Sequence, residues 1–299
     1  MNKTTTLTVF TPTYNRAVLL QRGYEALRRQ TSKDFIWLII DDGSTDNTRE
    51  VVEQWLKANN GFEILYAYKE NGGLHTGYNK AIELMDTEIC VCIDSDDWMP
   101  DNAVEIIVNY WSKHKHEDIA GFVGKDFLST GEQMGGDFPD DEIMHLVEIR
   151  QHKEWNRDNK PVMRVDLLKQ VAPQPTFQGE KNFNPYYMML KIDQIYPFRL
   201  INNNLCFVDY QETGMAANII KQFFNSPNSF VELRRLYVTL KYTTLKWRLR
   251  QYAHLVAECW IAKKNPYREE GVSKLAVTIM YPMGLMLYNY MIYKQRRIR

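Results

Sequence analysis

Cysteine is scarce in this sequence, and the positions of the few cysteines exclude two kinds of structure. The 299 residues contain four, and none lies at the spacing of a metal-binding pair: Cys90, Cys92, Cys206 and Cys259. Cys90 and Cys92 alternate within one apolar run, so they share one face of a strand. We therefore predict buried, reduced cysteines, and neither a disulfide scaffold nor a cysteine-bound metal.

A hydrophobic signal core and a nucleic-acid-binding motif are also missing. The first ten residues, MNKTTTLTVF, contain no apolar run of the length that secretion requires. We therefore expect a protein that stays in the cytoplasm. Nucleic acid is not expected as a partner, because no recognisable binding motif accompanies the basic residues.

Net charge is absent from the chain as a whole but not from its parts. Lys and Arg total 37, and Asp and Glu total 37. From Lys221 onward there are 15 basic and 4 acidic residues, a net charge of +11, which leaves −11 for the first 220 residues. A basic C-terminal part of this kind favours an anionic membrane surface as its partner.

Apolar runs alternate with stretches of helical periodicity along the first half of the chain. Runs such as FIWLII are apolar throughout, which is typical of strands buried on both faces. Between the runs lie segments with apolar residues at helical spacing, such as AVLLQRGYEALRRQ. The pattern predicts an α/β fold with a doubly wound, mostly parallel sheet, helices on both faces, and a C-terminal helical extension.

Polar segments follow the first four predicted strands and read TPTYNR, DDGS, KENGG and DSDD in chain order. Asp-Gly and Asn-Gly form turns on their own account, so each segment alone has a purely structural explanation. Ligands of doubly wound sheets, however, bind beyond the carboxyl ends of the strands. The joint position of the four segments therefore predicts one ligand site at this edge.

Three carboxylates follow the fourth predicted strand within four residues: Asp94, Asp96 and Asp97. Like charges repel at this spacing, and removing them from water is costly. A divalent cation would offset both effects, because hard cations prefer carboxylate oxygens. The structural alternative is an N-cap of the following helix by Asp97 or Asp101.

The segments VFTPTYNR, IIDDGSTDNT, NGGLHTGYNKAIE and CIDSDDWMPD resemble, in order and spacing, the signatures of family 2 glycosyltransferases with the GT-A fold. The resemblance covers residues 1–125. It implies an inverting enzyme of the hexosyltransferase class, a nucleotide-sugar donor, and Mn²⁺ or Mg²⁺ as cofactor. It does not identify the sugar.

The resemblance also implies which residues bind the donor. Asp41 or Asp42 would accept a hydrogen bond from the uracil N–H, which indicates a UDP-linked sugar. Tyr14 offers a stacking face for the base, and Arg16 is either a diphosphate ligand or an exposed residue of the next helix. The full donor set is Thr11, Pro12, Thr13, Tyr14, Arg16, Asp41, Asp42, Gly72, Gly73, Asn79, Asp94, Ser95 and Asp96.

DSDD resembles the DxD motif of the family, which implies metal ligands. Asp96 is the first candidate and Asp97 the second, whereas Asp94 supports the site or contacts the ribose. Because Asp96 and Asp97 are adjacent, the alignment of this segment with the DxD motif stays open.

An inverting transfer needs a carboxylate that takes the proton of the acceptor hydroxyl. The segment QGEKNF resembles the acceptor side of bacterial relatives and implies Glu180 as this general base. One alternative is that Glu180 is a surface residue paired with Lys181. Asp166 is the competing base, but its segment has helical periodicity, which indicates a solvated helical charge. The later segment QETGMAANI resembles a flexible family segment, which implies a diphosphate contact by Tyr210 and Gln211.

Three helices are predicted in the basic part, over 230–243, 244–264 and 272–293. The last contains an uncharged run from 275 to 293 with cationic residues at both ends, long enough to span a membrane. Pro282, Gly284 and Asn289 interrupt the run, so a helix lying in the membrane interface fits better than a spanning one. A core helix or a homodimer contact is the alternative.

We therefore expect two regions. Residues 1–225 form the catalytic domain, with a nucleotide-sugar half (1–125) and an acceptor half (126–225). Residues 226–299 form a basic helical region that attaches peripherally to the inner face of the cell membrane. By analogy with the family, the acceptor is a glycan or a lipid-linked molecule.

Two other functions stay open. A nucleotidyltransferase would carry a glycine-rich, basic loop after the first strand, and TPTYNR contains no glycine. A non-catalytic nucleotide-sugar-binding module would keep the donor segments and lack the base.

Overall fold

The computed structural model describes residues 5–139, 142–155, 157–209 and 219–298. The chain divides into two compact units. Unit 1 takes residues 1–72, 76–173 and 188–209, and unit 2 takes residues 73–75, 174–187 and 210–299. The expected boundary at residue 225 between a catalytic domain and a membrane-associating region stays a prediction.

Unit 1 is built on an eight-stranded sheet. Its strands are β1 (Leu7–Thr13), β2 (Phe35–Asp41), β3 (Glu63–Tyr68), β4 (Ile89–Cys92), β5 (Gly121–Leu128), β6 (Ile143–Met144), β7 (Asn159–Arg164) and β8 (Phe198–Val208). They lie in the order β3-β2-β1-β4-β7-β5-β8-β6. The first four strands are parallel to one another, so their carboxyl ends lie at one edge, as the apolar runs predicted.

The central strand β7 was not predicted. It pairs antiparallel with both β4 and β5, so the second half of the sheet is mixed. Its sequence, NKPVMR, contains Lys160 and Pro161, and charge and proline both argue against a strand in the middle of a sheet. Lys160 is accommodated there because carboxylates surround it, as described below.

Helices follow most of the strands of unit 1 along the chain. They are α1 (Ala17–Arg29), α2 (Thr48–Leu56), α3 (Leu74–Leu84), α4 (Ala103–His114), α5 (Leu146–Ile149) and α6 (Val165–Val171). Tyr24 of α1 stacks on Trp55 of α2 with ring centroids 4.3 Å apart, and Trp55 stacks on Trp37 of β2 at 5.5 Å. These buried rings fix the two helices to the sheet, and thereby the loops that follow β1 and β2. All four cysteines are buried, as predicted, and none of them is in a disulfide.

Unit 2 is helical in its described part. After α7 (Tyr186–Asp193), which begins in this unit, come α8 (Ile219–Asn225), α9 (Pro227–Thr239), α10 (Leu245–Ile261) and α11 (Lys274–Ile298). The last three correspond to the three predicted helices. Arg234 of α9 pairs with the buried Glu258 of α10 at 2.9 Å. Burial raises the pKa of the Glu258 carboxyl, and Arg234 opposes this increase.

Candidate functional site

The ends of β1 and β2 are interlocked by hydrogen bonds. Thr13 and Asp41 are register partners, and the Asp42 N–H donates to the Thr13 carbonyl at 2.9 Å. Asn15 has a φ of 52°, and its side-chain oxygen accepts from the Thr45 N–H at 2.7 Å. The structure therefore brings TPTYNR and DDGS together.

The paired aspartates at the end of β2, Asp41 and Asp42, are buried and held in fixed orientations. Asp41 accepts from the Tyr66 hydroxyl at 2.6 Å and from the Ser44 N–H at 2.7 Å. Burial and the bond to Asp41 raise the pKa of Tyr66, so this hydroxyl remains a donor. Asp42 pairs with the Lys69 ammonium at 2.5 Å. That Asp41 or Asp42 accepts a hydrogen bond from the nucleotide base stays a prediction.

The β1 residues of the donor set face different surroundings. Thr11 is buried, and its hydroxyl accepts from the Trp37 indole N–H at 3.0 Å, which is a contact within the core. Pro12 is buried beside it. Thr13 is 3% exposed, and its Oγ1 has no hydrogen-bond partner among the described residues. Tyr14 is 47% exposed. Two groups thus remain to contact a ligand: the buried hydroxyl of Thr13 at the end of β1, and the exposed ring of Tyr14 just after it.

Neighbouring protein atoms leave no room for a side chain at the two glycines after β3. The Gly72 N–H donates to Asp42 Oδ1 at 3.0 Å, and a Cβ at Gly72 would lie 2.7 Å from a side-chain oxygen. Gly73, in unit 2, has a φ of +93°, and a Cβ there would lie 1.9 Å from the Lys181 carbonyl oxygen. Packing alone therefore explains both glycines, and their contact with a nucleotide stays a prediction.

The three carboxylates after β4 differ in exposure and in partners. Asp94 is exposed, Asp96 is partly exposed, and Asp97 is 5% exposed. The Asp96 carboxylate contacts the Arg16 guanidinium at 3.4 Å. Asp97 Oδ1 accepts from the Asp209 N–H at 3.3 Å. Arg16 thus lies beside the first candidate metal ligand, at the carboxyl edge of the sheet. The donor roles of the half-exposed Ser95 and Asn79 stay predictions.

The helix-cap explanation of the carboxylates is wrong. The N-cap residue of α4 is Asn102, whose own side chain makes no capping hydrogen bond, and the Gln30 side chain accepts from the Val104 N–H in the first turn at 3.0 Å. Asp101 instead pairs with Arg29 at 3.1 Å. The carboxylates of Asp94, Asp96 and Asp97 therefore have no role in starting α4.

A buried lysine that no motif indicated offsets part of this negative charge. Lys160 of β7 is 8% exposed, and its Nζ lies 3.6 Å from Asp126 Oδ1 on β5. Burial alone would lower the pKa of Lys160, but Asp126 and further neighbours, including Asp97, raise it well above the ordinary value. Burial also raises the pKa of Asp97 to about 7, and Lys160 opposes this increase. The cluster thus contains a permanent internal cation.

A second unpredicted residue, Arg22 of α1, holds the carboxylate segment in place. It donates to the Asp96 carbonyl, and to the Asp209 carboxylate at 3.0 Å. Its guanidinium lies 3.9 Å from the centre of the Trp98 ring. Trp98 and Phe207 exchange backbone hydrogen bonds at 3.1 and 2.8 Å. Residues 96–98 are therefore tied to α1 and to the end of β8.

Glu180 lies in unit 2, where it is 8% exposed and binds the N-terminus of α9. Its Oε1 accepts from the N–H and the side-chain amide of Asn228 at 2.9 and 2.7 Å. Its Oε2 accepts from the N–H and the hydroxyl of Ser229 at 2.8 and 2.7 Å. The alternative of a surface pair with Lys181 is therefore wrong, and the role of general base stays a prediction.

The competing residue Asp166 is an exposed charge on α6, as its periodicity indicated. Its carboxylate pairs with Arg164 at 2.6 Å. Tyr210 and Gln211 lie outside the described residues.

Comparison with a family model and with curated relatives agrees with the resemblance in the sequence. The model described as Glycosyl transferase family 2 matches residues 8–169. The protein named glycosyltransferase EpsH, from Bacillus subtilis (strain 168), is 29% identical over 135 residues, which are 45% of this chain and 38% of EpsH. The chain thus spans well under half the length of this relative.

Two solved structures share the fold. TarS 1–349 of S. aureus in complex with UDP-GlcNAc has a TM-score of 0.58 at 14% identity, covering 98% of this chain and 92% of that one. The mannosyltransferase PcManGT from Pyrobaculum calidifontis, in complex with GDP-Man and Mn²⁺, has a TM-score of 0.54 at 19% identity, covering 97% and 82%. The expected GT-A type of α/β fold is thereby confirmed. The family model matches more than half of the residues, and the chain belongs to glycosyltransferase family 2.

Proposed function

We propose that this chain transfers a sugar, with inversion, from a nucleotide-sugar donor to a glycan or lipid-linked acceptor. The observation that carries the proposal is the meeting of residues 11–16, 41–44 and 94–97 at one edge of the sheet of unit 1. Family membership supports glycosyl transfer, and TarS and PcManGT were solved with nucleotide sugars. The nucleotidyltransferase alternative has no comparable support.

The donor base is proposed to lie against the ends of β1 and β2. A buried hydroxyl without a partner costs roughly 1–3 kcal/mol, so the Thr13 Oγ1 is a natural contact for a polar ligand atom. The exposed ring of Tyr14 provides a stacking surface. Asp41 and Asp42 are acceptors for the uracil N–H, a donor that cytosine lacks, which favours a UDP-linked sugar.

UDP is expected to bind more tightly than CDP or GDP when affinities are measured by calorimetry. The double variant Asp41→Asn, Asp42→Asn should lose this preference, because each amide presents N–H groups where a carboxylate accepted. Glu83→Gln is the control, since it makes the same chemical change in an exposed pair with Lys80 on α3. Equal affinities of the wild-type protein for the three nucleotides would refute the assignment.

A Mn²⁺ or Mg²⁺ ion is proposed at Asp96, with Asp97 as the second ligand. Among the described residues, no group of three or more His, Cys, Asp or Glu side chains is arranged to hold a metal. The carboxylate oxygens of Asp96 and Asp97 suit an ion such as Mg²⁺, which commonly takes one or two protein carboxylates and completes its coordination with substrate phosphates. When bound, such an ion neutralises diphosphate charge and assists the departure of the nucleoside diphosphate. The Mn²⁺ in PcManGT supports this assignment.

Arg16 is proposed to contact the diphosphate. Its guanidinium already lies beside the Asp96 carboxylate, and both side chains are partly exposed, at 33% and 23%. A guanidinium at this position donates to phosphate oxygens and reduces the repulsion between an anionic donor and the carboxylates.

Arg22→Met is expected to lower kcat/KM by about ten- to a hundredfold, because a displaced carboxylate segment no longer matches the donor. Stability should change little, since the pair with Asp209 is about a third exposed and such pairs contribute at most about 1 kcal/mol. Arg28→Met, an exposed residue of the same helix, is the control. An increase in the donor KM at unchanged Tm would support the conclusion that Arg22 positions the carboxylate segment. A lower Tm at unchanged KM would show that Arg22 only stabilises the fold.

Glu180 is proposed as the general base, which accepts the proton of the attacking hydroxyl. A carboxylate has about four acceptor positions, and the hydrogen bonds from Asn228 and Ser229 already use that number. Catalysis therefore requires that the acceptor hydroxyl replaces one of these donors. The Asn228 side chain is the donor that can rotate away without moving α9.

Peripheral attachment to the inner face of the cell membrane completes the proposal. The net charge of +11 from residue 221 onward supports an anionic surface as partner. Among the described residues, one helix, Lys274–Arg297, is long and apolar enough to cross a membrane. A homodimer formed through this helix is the alternative.

A further inference from the structure

We infer that α11 lies in the plane of an anionic lipid surface and inserts one defined face, the lipid-facing stripe. This inference rests on the peripheral attachment in the proposed function and specifies which face of which helix meets the lipid. The stripe consists of six large apolar side chains, each at least 49% exposed: Leu275, Ile279, Met283, Met286, Tyr290 and Tyr293.

The spacing of these residues gives α11 two different faces. At about 100° per residue, the six side chains fall within an arc of about 80° that runs the length of the helix. Val277 and Met291 lie on the opposite side and are buried. Gly284 lies there too, and a Cβ at this position would come within 2.5 Å of Val256 on α10. One face of α11 is therefore packed tightly against α10, and the other is left exposed by the residues that the structure describes.

This arrangement disfavours a spanning helix, although the length of α11 would allow one. A spanning helix presents apolar side chains to lipid all round its circumference, or packs on other apolar helices. The main neighbour of α11 is α10, which carries the ion pair of Glu258 with Arg234 and has exposed Lys246 and Arg250 at its start. Immersion of α11 to its full depth would take these charges into the hydrocarbon region or break the packing at Gly284.

The charges at the two ends of α11 fit an anionic surface. The helix contains no acidic residue, and Lys274 lies at its start and Lys294, Arg296 and Arg297 at its end. The Arg297 guanidinium lies 4.5 Å from the centre of the Tyr293 ring, and the Lys294 ammonium lies 5.7 Å from that of Tyr290. Cations beside the tyrosines of the stripe can bind lipid phosphates while the rings insert between the head groups.

The same charges disfavour a second copy of the chain as the occupant. Two α11 helices that meet face to face in parallel bring the basic C-terminal ends together. In an antiparallel pair, each C-terminal end meets the Lys274 end of the partner helix, and both ends are again positive. Like charges oppose either pairing, whereas an anionic lipid surface relieves the repulsion.

Cosedimentation of the full-length protein with vesicles tests the inference. The vesicles contain either phosphatidylcholine alone or phosphatidylcholine with phosphatidylglycerol, and neither donor nor acceptor is added. The variant Ile279→Asp, Met283→Asp places two charges in the stripe. The control Val18→Asp, Leu56→Asp makes the same net change at exposed apolar residues of α1 and α2.

Wild type and control are expected to bind the anionic vesicles, and the stripe variant to bind about tenfold or more weakly, because charge has replaced apolar insertion. Moderate salt should weaken wild-type binding, and alkaline carbonate should release the protein. Equal binding of variant and control, retention after carbonate, or a vesicle-independent dimer that the stripe variant dissociates would each overturn the inference. UDP binding is measured separately by calorimetry. A wrong assignment of the lipid-facing stripe can therefore be distinguished from a wrong assignment of the donor site.

Discussion

Asp96→Asn is expected to lower the rate of sugar transfer by about a hundredfold or more, since a metal contact to a departing diphosphate is worth several kcal/mol. Excess chelator should abolish transfer by the wild-type protein, and Mn²⁺ or Mg²⁺ should restore it. The amide removes a charged metal ligand and leaves a side chain of nearly the same shape. Released nucleoside diphosphate is the quantity to measure.

The fold should tolerate this change. The pair of Asp96 with Arg16 is partly exposed and contributes at most about 1 kcal/mol, and the variant also removes repulsion from the neighbouring carboxylates. Asp101→Asn is the matched control, because its carboxylate lies on the same connection but pairs with Arg29 at an exposed position. Full activity of the wild type in excess chelator would contradict the metal assignment.

Glu180→Gln is expected to reduce turnover by about 10²–10⁴, the usual contribution of a positioned general base. It should also lower Tm, because the buried carboxylate accepts four hydrogen bonds at the N-terminus of α9. A glutamine has one oxygen for these donors, and its NH₂ group would face two of them. Affinity for the nucleotide, measured by calorimetry, should be unchanged, since the thirteen residues of the full donor set lie in unit 1 except for Gly73.

Ser229→Ala separates the two roles of Glu180. It removes one of the donors to the carboxylate and keeps the carboxylate itself, so it should lower Tm and leave most of the activity. Equal turnover by the two variants at equal loss of Tm would show that Glu180 is a structural ligand of α9 and that another residue is the base. Nucleotide binding without turnover in the wild type would indicate the non-catalytic binding module.

The sequence was sufficient to predict the part of the site that depends on parallel strands. An apolar run followed by a polar turn marks a strand end, and parallel order brings such ends to one edge. TPTYNR, DDGS and DSDD therefore met as expected. Each strand end is recognised from a few adjacent residues, and the parallel order of the strands then predicts that segments far apart in the sequence meet in space.

Strand β7 and its lysine could not be predicted in this way. Lys160 and Pro161 make the segment look like a loop, and the carboxylate Asp126 that compensates the lysine lies on another strand. Arg22 was missed for a similar reason. It lies on a helix with ordinary amphipathic spacing, and its partners Asp96, Trp98 and Asp209 are 74 to 187 residues away.

Glu180 shows the limit of a short motif. The segment QGEKNF pointed to this carboxylate, and a surface pair with the adjacent Lys181 was the alternative. The actual partners are the first residues of α9, which begins 47 residues later at Pro227. Such a contact depends on tertiary packing in unit 2, which neither periodicity nor composition encodes.

The central claim is that the carboxyl edge of the sheet in unit 1 uses a nucleotide sugar as donor with the help of a divalent ion. The most direct test incubates the purified full-length chain with a panel of sugar nucleotides and Mn²⁺ and measures the release of nucleoside diphosphate. We predict release from at least one UDP-sugar, its loss in excess chelator, and its loss in Asp96→Asn but not in Asp101→Asn. Folded protein that releases nothing from any donor and binds no UDP would contradict the account.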